Sequence, residues 1–361
     1  MTDATPPEPI GSRFREFQAG LDQPDGQRHR KPGRGRGGGD GEQLNVPPAD
    51  FSSYYGRPIL KAPVWKHDIA GYLFTGGLAA GGSLIGAGAQ LTGRPGLRQV
   101  GRWTALGGVA ASAYLLVHDL GRPTRFHHML RVAKLTSPMS VGTWILTVFG
   151  PLAGAAAVAE LAPLLPQHGV LGLARRAAPP VGNALGLAAA AAAPALATYT
   201  GVLLADTAVP AWHDAYPYMP FVFGGSALAA AAGVGLIAAP AAEAAPLRRL
   251  ALAAATVKLA SGHRMERLTL TSEPYRQGRS GRLVRAGNVL LGVGAVAALL
   301  SRRSRVLSVI SGAVLVASSV ATRFGVFEAG MASARDPKYT VVPQRERRDN
   351  EGSRSPAENQ T

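Results

Sequence analysis

The chain has 361 residues, of which 47% are hydrophobic and only 17% charged, with a formal net charge of +16. Soluble proteins carry about 25% charged residues, so this composition favours a membrane protein. The absence of cysteine excludes a disulfide framework, a cysteine-ligated zinc site and an iron–sulfur cluster held by this chain alone. The basic residues fall in loops and tails without a recognition motif, which is typical of juxtamembrane segments and argues against nucleic-acid binding.

The two ends of the chain are polar. Residues 1–50 are rich in Gly, Pro and charged side chains and contain no apolar run, so they are neither a signal peptide nor a membrane span. We predict a disordered tail there. Residues 337–361 form a second polar tail, which we expect to be extended, and residues 51–336 form the membrane domain between the tails.

Eight apolar runs follow one another between the tails. They cover residues 69–91, 100–118, 140–163, 181–204, 219–241, 246–262, 286–301 and 304–325. A helix needs roughly 20 residues to cross the hydrocarbon, and the run at 246–262 is the poorest fit because it is short and contains Lys258. The runs are apolar all round and rich in small residues, unlike the striped helices of a soluble bundle. The sequence predicts an all-α bundle of about eight transmembrane helices.

Eight spans put both termini on one side of the membrane, which we call side A, together with the loops at 119–139, 205–218 and 263–285. Side B holds the loops at 92–99, 164–180, 242–245 and 302–303. Most Lys and Arg residues fall on side A when the tails are included, which favours a cytoplasmic side A. The short side B loops also carry Arg, so the asymmetry is small.

Titratable residues collect at the side A ends of the runs. Asp119 ends the second run, Asp206 ends the fourth, and His213 lies in the loop that follows. Charge at a membrane edge is costly and is usually kept for function, so we expect these three side chains to transfer protons. Arg122 would steady Asp119 and lower its pKa. A structural interpretation stays open for each: a helix-end ion pair for Asp119 with Arg122, a cap for Asp206 and a plain loop position for His213.

This mixture of residues suits quinone chemistry. A quinol releases protons with its electrons, so its ring oxygens need partners that form hydrogen bonds and accept protons, such as His or a carboxylate. No His lies well inside a run, as paired haem ligands would require, and there is no phosphate-binding nucleotide loop. We therefore expect a quinone site, with no haem and no metal in this chain.

The turn Asp119-Leu120-Gly121-Arg122-Pro123, followed by Ser137-Pro138-Met139-Ser140, is the most specific motif of the chain. Further matching segments are residues 54–58, 63–66, 77–82, 129–132, 141–144, 199–204, 323–330 and 333–340. Together these segments, over residues 51–343, resemble the NrfD/polysulfide-reductase membrane subunits, the eight-span quinone-handling anchors of iron–sulfur molybdoenzymes.

The resemblance implies a menaquinone pocket among the first four spans. Tyr199 on the fourth span would contact the ring, and a polar position early in the first span falls at or near Tyr72. Some relatives carry His at that position, and His67, one turn earlier, is the alternative here. The resemblance also implies a four-cluster ferredoxin-like iron–sulfur partner, a molybdopterin catalytic subunit beyond it, and a bacterial plasma membrane.

The chain would then be the quinone-binding membrane subunit of a respiratory oxidoreductase, not catalytic alone. Two other functions stay open. A secondary transporter or proton-conducting protein would need polar residues at mid-span and inverted repeats. A membrane anchor without a quinone site would only dock a soluble complex.

Overall fold

The computed structural model describes residues 59–354, and every regular element in this range is helical. The predicted disordered tail at 1–50 lies outside the described residues. The α-helices, in chain order, are α1 His67–Leu91, α2 Pro95–Asp119, α3 Pro138–Val158, α4 Gly169–Ala205, α5 Pro210–Asp214, α6 Met219–Ala238, α7 Ala245–Met265, α8 Gly278–Leu300, α9 Arg305–Arg335 and α10 Lys338–Arg354. Five 3-10 helices lie in the connections: Pro123–Leu130, Ala159–Leu164, Ala241–Glu243, Leu270–Tyr275 and Ser301–Arg303.

Within the described range, seven helices are long and apolar enough to cross a membrane. They are α1 to α4, α6, α8 and α9. The eighth long helix, α7, falls short because Arg248, Arg249 and Lys258 lie within its 21 residues. It still packs against α6 and α8. The predicted multi-pass, all-α membrane bundle is confirmed. The run at 246–262, the poorest fit to a membrane span in the sequence, corresponds to α7, the long helix that falls short.

Contacts between distant parts of the chain define the two sides. On side A, the Trp65 ring before α1 stacks on Trp212 of α5 with the ring centroids 5.9 Å apart. Also on side A, the Lys338 ammonium at the start of α10 lies 2.9 Å from the Glu273 carboxylate. On side B, Glu243 accepts a 2.6 Å hydrogen bond from the backbone N–H of Leu97 at the start of α2. The start of α1 and the start of α10 therefore lie on the same side of the bundle, side A.

Glycines bring α1 and α2 into very close contact. A Cβ atom on Gly101 of α2 would lie 2.5 Å from the Gly86 nitrogen and 2.7 Å from the Gly82 oxygen, both on α1. Lipid tails are as apolar as leucine, so helices in a bilayer associate through such close backbone packing rather than through the hydrophobic effect. α1 also packs against α4, α6 and α9, which places it at the centre of the bundle.

Two helices, α4 and α9, extend far beyond the predicted runs. α4 begins at Gly169 rather than near residue 181, and α9 continues to Arg335 rather than ending near 325. Hydropathy marks only the part of a helix inside the hydrocarbon, and both helices continue past it. The expected extended tail after residue 337 is wrong for residues 338–354, which form α10. Gln, Arg and Glu favour helix without adding hydropathy, so an apolar-run criterion misses such a helix.

The start of α10 is fastened to side A by a pair of opposite charges. Burial alone would raise the pKa of the Glu273 carboxyl above its ordinary 4.5, but hydrogen bonding and charge from Lys338, with hydrogen bonds from Tyr339 and Gln277, hold that pKa lower. Burial would lower the pKa of Lys338, yet its interactions with Glu273 and Tyr339 raise it above 10.5. The attachment of α10 therefore depends on pH in both directions.

We predict that acid loosens α10. A lowered carboxyl pKa gives stability that is complete above 4.5, the ordinary value, and is lost as the pH falls through the folded-state pKa of Glu273. The raised pKa of Lys338 gives stability that is lost only when the pH rises past 10.5. Limited proteolysis should therefore cut α10 faster below pH 4.5 than at pH 7. Glu273→Gln should already be cut faster at pH 7, and its rate should change little with acid; an acid response as large as that of the wild type would contradict the assignment.

Candidate functional site

Two buried tyrosines lie on separate spans in the first half of the bundle. Tyr72 of α1 is 3% exposed and Tyr199 of α4 is 7% exposed. The helices that carry them, α1 and α4, pack against each other. Within residues 59–354 neither hydroxyl has a hydrogen-bond partner. The one hydrogen bond to the residue Tyr72 from a side chain is accepted by its backbone oxygen. Both hydroxyls are therefore available to a polar ligand.

Gly142 of α3 sets the position of the Tyr199 ring. A Cβ atom at residue 142 would overlap the Cζ and hydroxyl oxygen of Tyr199. Gly142 follows the Ser137-Pro138-Met139-Ser140 motif by two residues, so the motif begins the helix whose first turns receive the ring. The close approach of α3 and α4 at this level requires glycine.

We predict that Gly142→Ala is destabilising. The added methyl group must displace the Tyr199 ring, and overpacking of this kind costs about 1–3 kcal/mol. Thermal unfolding of the purified protein in detergent measures the effect. Gly154→Ala is the matched control on the same helix, because its Cβ would meet only Leu106 at an ordinary 3.8 Å. Equal melting temperatures for the two variants would contradict this packing.

Polar pairs lie on both sides of Tyr72 along α1. Toward side A, the His118 Nδ1 at the end of α2 lies 3.2 Å from the Asp68 carboxylate. Asp68 precedes Tyr72 by four residues and so shares its helix face. Deeper in the bundle, the hydroxyls of Thr75 and Ser112 are hydrogen-bonded at 2.8 Å. None of these four residues was chosen as a site residue from the sequence. The four-residue spacing of Asp68 and Tyr72, which places both on one helix face, could have identified Asp68.

The predicted pair of Asp119 and Arg122 does not form. Asp119 is half-buried at the end of α2, Arg122 is exposed, and no ion pair joins them in the described part of the chain. Leu120 is extended (φ −67°, ψ 126°) and Arg122 is non-helical (φ −133°, ψ 89°), so the backbone leaves the helix before Arg122. The structure therefore gives Arg122 no contact through which to steady Asp119, and its predicted part in binding the quinone stays a prediction.

The other predicted residues lie at the rim of side A. Asp206 caps α4 and is exposed. His213 of α5 is exposed, and its Nδ1 lies 3.1 Å from the Ala205 carbonyl oxygen, beside Asp206. His67 stacks on Phe324 of α9 with the ring centroids 6.2 Å apart. The structure thus buries Tyr72 and Tyr199 inside the bundle and leaves these three exposed; the proton-transfer and quinone-binding roles of all five residues stay predictions.

Comparison with known proteins addresses the family. The profile of the family described as "Polysulphide reductase, NrfD" matches residues 59–249, more than half of the chain. The chain belongs to the NrfD family. NrfD proteins are the membrane subunits of polysulphide-reductase-like complexes. The match covers α1 to α6 and the start of α7, including both tyrosines. A search of curated proteins found no match.

A buried arginine of this NrfD protein lies outside the matched range. Arg323 of α9 is fully buried, and one of its terminal nitrogens donates to the Phe223 carbonyl oxygen at 2.7 Å. The other donates to the Thr200 hydroxyl at 3.4 Å, while the guanidinium carbon lies 3.9 Å from the Phe223 ring centroid. Its Nε has no partner among the described residues. Arg323 therefore ties α9 to the residue that follows Tyr199, a long-range contact that its place at the end of an apolar run does not reveal.

A second buried arginine of the NrfD bundle lies near side B. Arg102 of α2 is 4% exposed and donates to Glu160 at 2.6 Å, and to Gln90 and Asn183 at 2.8 Å each. Arg98 forms two further hydrogen bonds with the same Glu160 carboxylate, at 2.8 and 3.0 Å. These side chains join α1, α2, α4 and the 3-10 helix after α3, so the network fixes the side B end of the first four spans.

The second half of the NrfD bundle carries a short polar chain. Lys258 of α7 is 2% exposed and its ammonium donates to the Asn288 side-chain oxygen. The Asn288 amide in turn donates to Glu266 at 3.1 Å, at the side A end of α7. Sequence reasoning found no partner for Lys258, because both partners lie on segments more than one helical turn away. Over the described residues, no group of three His, Cys, Asp or Glu side chains is arranged to hold a metal ion.

Proposed function

We propose that this NrfD protein is the quinone-binding membrane subunit of a respiratory oxidoreductase in a bacterial plasma membrane, with side A cytoplasmic. It would exchange electrons between menaquinone and a four-cluster ferredoxin-like iron–sulfur subunit, which is joined in turn to a molybdopterin subunit. The observation that carries the proposal is the pair of buried hydroxyls of Tyr72 and Tyr199, unpartnered within residues 59–354 and inside the family match.

The residues at the pair fit a quinone. The two ring oxygens of a quinone accept hydrogen bonds, and a phenol hydroxyl can donate one. Tyr72 and Tyr199 offer two such donors from α1 and α4, which pack together, and the Tyr199 ring packs on Gly142 of α3. When bound, a quinone supplies the transfer of two electrons together with two protons.

The protein's own part is binding, orientation and proton handling. Tyr199, held against Gly142, and Tyr72 would orient the ring by donating hydrogen bonds. His118 would hold a proton at a ring nitrogen, and the Asp68 carboxylate, 3.2 Å away, would stabilise the charged imidazole. Asp119, Asp206 and His213, at the rim of side A, would pass protons onward to water.

The iron–sulfur cluster belongs to the partner in this proposal, because the chain has no cysteine to ligate one. The partner would dock on side A, where a run of arginines follows α7 and enters α8. These residues are Arg264, Arg267, Arg276, Arg279, Arg282 and Arg285. Arg279 is already engaged with Glu328 at 3.4 Å, so the remaining arginines would meet an acidic partner surface.

The test is purification from native membranes in mild detergent, followed by mass spectrometry of the co-eluting proteins and lipids. We expect an iron–sulfur subunit together with a quinone. An iron–sulfur subunit without quinone would support the anchor function instead. Elution alone, without quinone, would overturn the proposal and favour a transporter.

Proton conduction is the second candidate, and the chain from Lys258 through Asn288 to Glu266 favours it. A buried amine reached from side A through an amide is an arrangement that could relay protons. The protein alone in liposomes with a pH-sensitive dye distinguishes the two functions. Proton flux that Lys258→Met abolishes would favour conduction, and its absence, with quinone-dependent electron transfer in the complex, would favour the quinone subunit.

A further inference from the structure

An apolar groove opens between α3 and α4 on side A. Its volume is about 450 Å³. The residues that define it are Lys134, Leu135, Trp144, Ile145, Val148 and Ala195. Ligand sites commonly have volumes of roughly 300–1,000 Å³, so the groove is large enough to hold part of a lipid-sized molecule.

The mouth of the groove is fixed by hydrogen bonds. The Ser140 hydroxyl donates to the Val132 carbonyl oxygen at 2.9 Å and accepts from the Lys134 backbone N–H at 3.0 Å. The Trp144 indole N–H donates to the same Val132 oxygen at 3.4 Å. These bonds hold the segment before α3 against the helix and engage the polar groups of Ser140 and Trp144 at this end.

The segment that leads into the groove is basic. No Asp or Glu occurs between residues 120 and 159, whereas Arg122, Arg125, Arg131 and Lys134 all lie there. Lys134 lines the groove, is exposed and forms no ion pair within the described chain. Positive charge at a membrane interface attracts anionic lipid headgroups, each Lys or Arg contributing about 1 kcal/mol.

The length of the groove matches one leaflet. On α3 it runs from Ser140, near the side A end, to Val148. Each helical residue advances about 1.5 Å, so these eight steps span roughly 12 Å. Half of a hydrocarbon core about 30 Å thick is about 15 Å. A chain lying in the groove would therefore reach from the interface nearly to the bilayer centre.

We propose that this groove binds an anionic phospholipid of the side A leaflet. One acyl chain would lie along Trp144 and Val148, with the phosphate on the Lys134 ammonium. Neither Tyr72 nor Tyr199 lines the groove, although Ala195 precedes Tyr199 by one turn of α4. A neutral quinone has no charge to complement the mouth, so the anionic lipid is the occupant that charge favours.

The test uses native mass spectrometry of the full-length protein with phosphatidylglycerol or phosphatidylcholine as the added lipid. The wild type should retain one phosphatidylglycerol and little phosphatidylcholine. Lys134→Glu, which reverses the charge, should weaken phosphatidylglycerol binding about tenfold, a change of about 1.4 kcal/mol. Ala195→Phe, which fills the groove without changing charge, should also reduce it. Arg335→Glu is the control, an exposed side A cation on α9 and away from the groove, and should bind like the wild type.

Two results would overturn the proposal. One is that the wild type retains the two lipids equally, or that both groove variants retain phosphatidylglycerol as well as the wild type does. The other is a bound quinone that Ala195→Phe removes while phosphatidylglycerol binding stays unchanged, which would assign the groove to an isoprenoid tail.

Discussion

Tyr199→Phe is expected to slow quinol-driven reduction of the iron–sulfur partner about tenfold, because the ring loses a hydrogen bond worth about 0.5–1.5 kcal/mol. The variant removes only the hydroxyl and keeps the ring that packs on Gly142, so folding and assembly should persist. Tyr72→Phe should act in the same direction. The measurement is the rate of quinol oxidation by the purified complex, compared at equal subunit content.

Tyr114→Phe is the matched control for these variants. Tyr114 is a tyrosine of the same four spans but is 65% exposed and stacks on His118, away from the buried pair. Its turnover should stay close to that of the wild type. If Tyr72 and Tyr199 hold one ring, the double variant should be little slower than either single variant, because groups acting as a unit are not additive. Full turnover in Tyr199→Phe would rule out a role for its hydroxyl.

Glu160→Ala is expected to destabilise the protein by about 3–5 kcal/mol, because it leaves the buried Arg102 charge without a carboxylate. Arg102 would keep its hydrogen bonds to Gln90 and Asn183, but both of those partners are neutral. Thermal unfolding in detergent, followed by tryptophan fluorescence, measures the change. The effect on turnover should be small by comparison, since the network lies at the side B end.

Two further variants separate charge from shape at this network. Glu160→Ala combined with Arg102→Met should recover part of the loss, because no unpaired charge then stays buried. Arg98→Gln should cost much less than Glu160→Ala, since the Arg98 side chain is 28% exposed and can be replaced in part by water. Equal destabilisation by Arg98→Gln and Glu160→Ala would contradict the buried-charge explanation.

The membrane fold could be predicted because hydropathy is a local property. Each apolar run corresponds to a helix, and the run with Lys258 corresponds to the helix that is least apolar. What could not be predicted is where helices end outside the hydrocarbon, as in α4 and α9. α10 was not predicted for the same reason, since a polar helix has no hydropathy signal.

The site was predictable only as far as its residues resemble a family. Tyr72 and Tyr199 came from the resemblance, and the structure buries both on helices that pack together. The pairing of Asp68 with His118, and of Arg102 with Glu160, joins residues 50 and 58 positions apart, which depends on how helices pack. The predicted contact between Asp119 and Arg122 relied on their proximity in sequence. It does not form because the backbone is non-helical at Leu120 and Arg122.

The contacts of Arg323 mean that the two halves of this protein have different roles: the first half carries the proposed quinone-binding side chains, and α9 holds them in place. The family match ends at residue 249, yet a guanidinium from residue 323 fastens Thr200 and the Phe223 backbone, next to the helix turn that carries Tyr199. A chain shortened after α7 would keep every proposed quinone-binding side chain and lose the means of holding them in place. Substitutions in α9 should therefore alter quinone turnover at Tyr199. The effect would act through the contacts of Arg323 with Thr200 and Phe223, although α9 is remote from Tyr199 in sequence.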